Sequence, residues 1–474
     1  MIHQYKLNGF NIVLDVYSGA VHVVDEVAYD AIQLYDQLVG EADLTTETRR
    51  DIVLALSEKY EGRIDLGLQD FFDVIDDIEE LKAQKKLFSK DIYSADADRF
   101  KRNHTVVKAL CLHVAHACNM ACDYCFAGKG EYHGGDMGLM SFDVGKRALD
   151  FLMDNSGSRV NLEVDFFGGE PLLDWGVIKR LVAYAREQEP KRNKKFRFTL
   201  TTNGILLDDE VIEFANKEMY NVVLSLDGRK EVNDRFRVLK DGTGTHDLIL
   251  PKFKKLADSR NQEGYYMRGT YSHFNTDFTN DIFYMADQGF KQLSMEPVVA
   301  AGDSPYALTE EDLPVLFEQY EILAKEMIRR DIEEEKNGDG NSFTFYHYMI
   351  DLTGGPCIYK RISGCGSGTE YMAVTPSGDL YPCHQFVGEE EYKIGTIFDG
   401  IQNPQVQEEF AACNVYTRKE CRDCWAQLYC SGGCAANAYH ATGSINGVYE
   451  YGCQLFRKRI ECAIMVKAAE AARL

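Results

Sequence analysis

Apolar residues change their rhythm three times along the chain. At residues 3–7, 11–17 and 20–24 they come in short runs rich in Val, Ile and Tyr, separated by Asn8-Gly9 and Ser18-Gly19. Runs broken by such pairs predict three short strands joined by tight turns. From Asp25-Glu26 the spacing lengthens to a helical one, with Val27, Ala31, Leu34 and Tyr35 on one face. Helical patterns recur at 46–60 and 69–86, the second with Phe72, Ile75, Ile78 and Leu81 on one side. Residues 1–90 are therefore expected to form a small winged-helix-like module, followed by a linker at 91–106.

Strand-like and helical runs then alternate, the mark of a parallel α/β domain, taken as residues 107–340. Six strands are predicted, at 106–114, 162–167, 196–201, 222–225, 265–271 and 292–297. Each leads into a polar or glycine-bearing segment: Cys118 onward, Gly168-Gly169-Glu170, Thr202-Asn203-Gly204, Leu226-Asp227-Gly228, Ser272-His273 and Val298-Val299. A parallel barrel gathers such strand ends at one mouth, so these segments are expected to share a site. Residues 341–474 begin with a cysteine- and glycine-rich stretch, with a strand candidate at 371–375. Little of it is amphipathic, which predicts that iron or zinc holds much of it together. An Ala-rich packing helix is expected at 455–474.

Composition narrows the function. The 474 residues include 14 cysteines, only 10 prolines, 45% hydrophobic and 27% charged residues, an ordinary globular balance with little room for disordered linker. No apolar run approaches the ~18 residues of a membrane span, and MIHQYKLN at the start has no signal-peptide core. A soluble, cytoplasmic protein with no membrane partner is expected. In a reducing compartment, clustered cysteines are metal ligands or catalytic thiols more often than disulfides. The net charge is -23, and residues 1–90 hold 18 acidic against 9 basic side chains. That balance argues against nucleic acid as a partner, even for a winged helix.

Cys118, Cys122 and Cys125 form C-x3-C-x2-C in HACNMACDYCF. Structural zinc takes four protein ligands, and this tight group has no fourth at matching spacing unless His113, His116 or Cys111 is borrowed. Three thiolates on one short loop suit three irons of a [4Fe-4S] cube whose fourth iron takes an external ligand. The motif, with Tyr124 before its third cysteine, resembles the signature of the radical S-adenosylmethionine (SAM) superfamily.

That resemblance implies a partial (β/α)6 barrel and further site residues. Gly168-Gly169-Glu170-Pro171 looks like the family's GGEP motif, and Glu170 would receive the SAM amino group. Asn203, Ser225 and Asp227 would face its ribose and methionine portion, and Arg268 would pair with its carboxylate. For those four the alternative is a satisfied turn or core polar group. The later cysteines, Cys365, Cys383, Cys421, Cys424, Cys430, Cys434 and Cys453, match the seven-cysteine SPASM pattern, including Gly378. The resemblance implies two auxiliary [4Fe-4S] clusters, three clusters in all. Cys365, Cys383 and Cys434 would hold the first, and Cys421, Cys424, Cys430 and Cys453 the second. Seven cysteines cannot complete two sites of four, so the first takes Cys357 or keeps an open iron. Zinc remains the alternative for the C-x2-C-x5-C-x3-C run alone. Cys111, Cys413 and Cys462 fit no motif.

Peptide-modifying SPASM enzymes often begin with a PqqD-like winged helix that captures a precursor's leader by strand addition, and residues 1–90 have that size and element order. MIHQYKLNGFNIVLDVYSGAVHVVD and GGPCIYKRISGCGSGTEYMAVTPSGDLYPCHQFVG most resemble maturases of SCIFF peptides. Those enzymes install thioethers in cysteine-rich ribosomal peptides. The resemblance thus implies a thioether-forming enzyme with a precursor peptide and an electron donor such as flavodoxin or ferredoxin as partners. Other SPASM oxidations, formylglycine formation or a carbon-carbon crosslink, are the alternatives. An iron-sulfur DNA-binding regulator is a remote one. No catalytic side chain can be named from the sequence.

Overall fold

The computed structural model describes residues 1–95, 97, 106–132, 138–300, 304–338, 340–353 and 357–473. Strands β1 (Ile2–Leu7), β2 (Phe10–Asp15) and β3 (Ala20–Val24) form an antiparallel sheet in that order. Asn8 and Gly9 turn the first hairpin with φ of 51° and 82°, the left-handed pair that such a two-residue turn demands. Helices α1 (Glu26–Leu38), α2 (Thr46–Lys59) and α3 (Leu68–Ala83) follow. Asp25 caps α1 by accepting from Ala28 N, and Thr45 caps α2 through Thr48 N. Ile32, Tyr35, Ile52, Leu56, Ile75 and Ile78 close a small core between the helices.

The six predicted parallel strands form as β4 (Ala109–Ala115), β5 (Asn161–Gly168), β6 (Lys195–Thr202), β7 (Met219–Ser225), β8 (Tyr265–Tyr271) and β9 (Gln292–Pro297), each hydrogen-bonded to the next. Two bounds differ from the sequence reading by more than one residue. Residues 106–108 precede the ladder, and β7 begins at Met219, earlier than its β-branched run. Between the strands lie α4 (Phe142–Asp154), α5 (Trp175–Arg192), α6 (Asp209–Glu218), α7 (Lys230–Phe236), α8 (His246–Ser259) and α9 (Thr279–Asp287). Leu162, Val164 and Phe166 of β5 are buried against the helices, as are Phe196, Phe198 and Leu200 of β6. Their neighbours in sequence, Asp165, Phe167, Thr199 and Thr201, face the opposite way into the barrel lumen, as strand alternation requires.

The sheet does not stop at six strands. After α10 (Leu313–Asn337), the short β10 (Thr344–Phe345) pairs with β9. On the other side β11 (Tyr371–Val374) joins β4 in parallel, and β12 (Asp379–Tyr381), β13 (Gly395–Thr396) and β14 (Gly400–Ile401) continue antiparallel. The result is one mixed sheet of 11 strands. The cysteine-rich region is thus held by strand pairing and apolar packing as well as by whatever its thiols bind. Its C-terminal helix, Glu450–Ala471, starts earlier than its Ala-rich part and buries Leu455, Ile460, Cys462 and Met465 in the main core. Leu7, Ile12 and Leu14 of the first sheet, and Val16 just after β2, enter that same core. Among the described residues no helix is long and apolar enough to cross a membrane.

Candidate functional site

The C-terminal ends of β4 to β7 converge on the loop that carries Cys118, Cys122 and Cys125. Gly168 and Gly169 let β5 approach it. A Cβ at Gly168 would lie 2.3 Å from Ala115 O, and one at Gly169 would lie 2.2 Å from Ala117 O and 3.2 Å from Cys118 Cβ. Gly168 also has φ 128°, which side chains disfavour. Glu170 is fully buried and accepts from Leu172 N at 3.0 Å, Thr202 Oγ1 at 2.9 Å and Asn203 N at 2.8 Å. Burial pushes its carboxyl up to about 7 despite those three donors. Its two oxygens therefore tie the end of β5 to the end of β6. Asn203 donates from Nδ2 to Asn119 Oδ1 at 2.8 Å and stands 3.7 Å from Cys118 Sγ.

Asp227 is fully buried too, accepting from Tyr124 Oη and, at 2.9 Å, from Thr270 N. Arg237 Nε completes its shell at 3.0 Å. The segment after α7 lies over the cysteine loop, with Ala121 N donating to Val238 O at 2.8 Å. Burial pushes the Cys118 and Cys122 thiols up to about 11 and 12, so they need a bound metal's charge to ionise. His113 and His116, considered above as zinc ligands, pair with each other at 3.1 Å; His116 stacks on Tyr132, and His113 meets that ring at a tilt. Among the described residues no three His, Cys, Asp or Glu side chains converge on one point as a single zinc ion requires.

The lumen below this mouth is polar. Ser225 and Arg268 sit side by side on β7 and β8, and the Arg268 side chain is exposed into the lumen. Glu296 meets His347 at 3.2 Å and Arg459, from the C-terminal helix, at 3.1 Å. Against burial, His347, Arg459 and Arg268 hold its carboxyl below the usual range. Asp165 is pushed up to about 6 by burial, with Glu163 adding and Thr199 opposing. Phe126, next to Cys125, and His384, next to Cys383, meet across the lumen with ring centroids 5.5 Å apart.

Beyond β11 the later cysteines fall into two neighbourhoods. Cys383 lies within electrostatic reach of Cys365 and Cys434, and Cys430 within reach of Cys421, Cys424 and Cys453. Gly364, Gly366, Gly432 and Gly433, flanking Cys365 and Cys434, all have φ between 75° and 84°. Cys365 and Cys413 line one cavity of about 40 Å³, whereas Cys357 is exposed, just before the short helix Ile358–Ser363. Cys111 is buried in the lumen wall next to Asp165 and Tyr371, and Cys462 lies in the core.

The Radical SAM superfamily profile matches residues 112–266, and that of the SPASM iron-sulfur cluster-binding domain matches residues 365–425. The chain carries a radical SAM domain followed by a SPASM domain. With the first come SAM and a [4Fe-4S] cluster, and with the second come auxiliary iron-sulfur clusters. Among similar proteins is the cysteine-type anaerobic sulfatase-maturating enzyme of Clostridium perfringens (strain 13 / Type A), 26% identical over 67% of this chain and 85% of its own. The radical SAM cyclopropyl synthase TigE of Paramaledivibacter caminithermalis is 22% identical over 74% and 72%. Among solved structures, anSMEcpe with bound AdoMet and Kp18Cys peptide superposes with TM-score 0.62 at 22% identity, covering 77% of this chain and 99% of that one. Streptococcus suis SuiB bound to precursor peptide SuiA superposes with TM-score 0.50 at 15% identity, over 96% and 98%. These two likenesses concern the fold.

Several side chains at this site escaped the sequence reading: Arg237, His384, His347, Arg459, Asp165 and Glu296. The available signal was a carboxylate at an inward position of an otherwise apolar strand, as in LEVDFF and LSMEP. Arg237 and Arg459 carry no local signal, because their roles come from chain folded over the mouth and from a helix far along the sequence.

Proposed function

We propose that this enzyme forms thioether crosslinks between Cys thiols and carbon atoms of acceptor residues in a ribosomally synthesised, cysteine-rich precursor peptide. The observation that carries the reading is the Phe126–His384 contact, which sets the neighbours of Cys125 and Cys383 on one lumen. Losing S-H and C-H to join sulfur to carbon removes two electrons, and the 5'-deoxyadenosyl radical from SAM takes one as a hydrogen atom, so the other needs a nearby acceptor. Cys118, Cys122 and Cys125 would hold the SAM-binding cluster. Cys365, Cys383 and Cys434, with Cys357 or an open iron, would hold the first auxiliary cluster, and Cys421, Cys424, Cys430 and Cys453 the second. Tyr124, Gly168, Gly169, Glu170, Asn203, Ser225, Asp227 and Arg268 would line the SAM site, Glu170 taking the SAM amino group, and Glu170 and Asp227 also brace the loops around it.

A peptide or protein substrate is supported by the names of the relatives, which include sulfatase-maturating enzymes, a cyclopropyl synthase and a structure bound to a precursor peptide. Residues 1–90 would serve as a PqqD-like leader dock, with β3 an edge strand open to addition. A flavodoxin or ferredoxin would supply electrons in the cytoplasm. The 26% identity to a sulfatase-maturating enzyme favours a second reading, oxidation of a cysteine or serine to formylglycine.

Incubating the reconstituted enzyme with a cysteine-rich precursor, SAM and reductant separates these. A thioether lowers the peptide mass by two hydrogens per link and blocks one thiol against alkylation after strong reduction. A disulfide regains its thiols, a carbon-carbon link leaves them free, and formylglycine loses the sulfur. Matured peptide with every thiol alkylatable would overturn the thioether assignment.

A further inference from the structure

A buried arginine lies between the two neighbourhoods of SPASM cysteines. Arg418 is 3% exposed, and Cys421 N donates to its carbonyl at 3.1 Å, fixing it at the start of the short helix Lys419–Arg422. Its Nη2 donates to Ile445 O at 2.7 Å and to Cys413 Sγ at 3.1 Å. Nε meets no acceptor among the described residues. The side chain forms part of the cavity wall shared with Cys365, Cys413, Ser431 and Gly433. Gly432 leaves room for it, since a Cβ there would stand 3.2 Å from Nη1.

A carbonyl and a neutral thiol do not balance a buried guanidinium, and a buried charge without a counter-charge is strongly unfavourable. The site therefore calls for anions on both sides. Arg418 lines one cavity with Cys365 of the first set, and its own carbonyl accepts from the N–H of Cys421 of the second at 3.1 Å. Thiolate-ligated iron-sulfur clusters supply such anions, and net local charge is among the factors that set their potentials. We infer that Arg418 is a fixed positive charge shared by the two auxiliary clusters, raising the reduction potential of both. Each cluster gains one negative charge when it takes one electron, so a fixed cation stabilises the reduced form more than the oxidised one. Cys413 serves as the thiol that holds this cation in place.

The inference rests on the ligand sets proposed above, and iron content tests those separately. Full-length wild type, Arg418→Gln and Arg418→Lys are reconstituted anaerobically, assayed for iron and sulfide, and titrated electrochemically with EPR detection. With iron unchanged, Arg418→Gln should move both auxiliary midpoints to more negative potential and leave the SAM-binding cluster where it was. Arg418→Lys should restore most of the shift. Auxiliary iron lost from the Gln variant but kept by the Lys variant would likewise show that the charge is required. Full iron with unmoved midpoints would overturn the inference alone, and iron lost from both variants would reduce Arg418 to a structural tether. Wild type holding iron for one cluster only would bring down the ligand sets and this inference with them.

Discussion

His3 lies flat on the indole of Trp425, with ring centroids 3.7 Å apart and planes 4° from parallel. Its Nε2 meets Glu461 at 3.0 Å, and Trp425 directly follows Cys424. The first strand is thereby fastened both to a SPASM cysteine loop and to the C-terminal helix. His3→Ala should lower stability by about 1 kcal/mol, seen as an earlier midpoint in urea unfolding. Removing residues 1–90 should do more than remove the proposed leader dock, because it strips Leu7, Ile12, Leu14 and Val16 from the main core. The truncated chain should aggregate and lose auxiliary iron. A monodisperse truncation with full iron content would show that this docking is dispensable.

Asp165 gives a pH dependence with a definite sign. Its ordinary value is 3.8, and burial in the lumen raises it to about 6. Below 3.8 both folded and unfolded chains hold the proton, so the group contributes no difference. Between 3.8 and about 6 the folded chain keeps a proton that the unfolded chain releases, and stability falls as pH rises. Above that window the loss is complete. Asp165→Asn should therefore be more stable than wild type by on the order of 1–3 kcal/mol at neutral pH. The lead should shrink as pH falls toward 5, as followed by thermal unfolding. Equal stability of the two proteins at neutral pH would place Asp165 in a more solvated setting than its burial indicates.

The strands of the barrel were legible because most are runs rich in β-branched and aromatic residues next to Gly, Asn, Asp or Ser, and Leu162, Val164 and Phe166 alternate as a half-buried strand must. The cysteine sets were legible because spacing along a short loop limits what the thiols can reach. What escaped depends on pairing between distant segments. Nothing local in YMAV says that β11 will join β4 in parallel across more than 250 residues of chain, and no pattern in RFRV marks Arg237 rather than Arg235 as the buried cation. The entry of β1 and β2 into the main core was hidden for the same reason: an antiparallel sheet with one apolar face reads alike whether it covers its own helices or another domain.

The three-cysteine loop makes a separate prediction. In the Cys118→Ala, Cys122→Ala, Cys125→Ala triple variant, the SPASM cysteines keep their own neighbourhoods, since no element of theirs is anchored by those thiols. If three clusters are present, the variant should retain about two-thirds of the iron and form no 5'-deoxyadenosine from SAM. Residual 5'-deoxyadenosine would move the SAM site elsewhere.

Arg237 and Asp227 test how the mouth is held together. Asp227 is fully buried, and Arg237 is its only cationic partner among the described residues, at 3.0 Å. Removing one member of a buried ion pair leaves the other charge uncompensated, at about 3–5 kcal/mol, whereas removing both is far milder. Arg237→Gln alone should therefore destabilise strongly, and because Ala121 N is tied to Val238 O, it should also loosen the cysteine loop. Asp227→Asn alone leaves a buried guanidinium beside a neutral amide, but keeps an acceptor oxygen for Thr270 N or Tyr124, and should be less severe. The double variant should recover much of the loss, giving a coupling energy of opposite sign to the single effects in a double-mutant cycle. Unfolding midpoints and the iron of the SAM-binding cluster should move together across the four proteins. Additive effects, or a destabilised Arg237→Gln protein that keeps all its iron, would separate the ion pair from the loop and leave Arg237 with a purely local role.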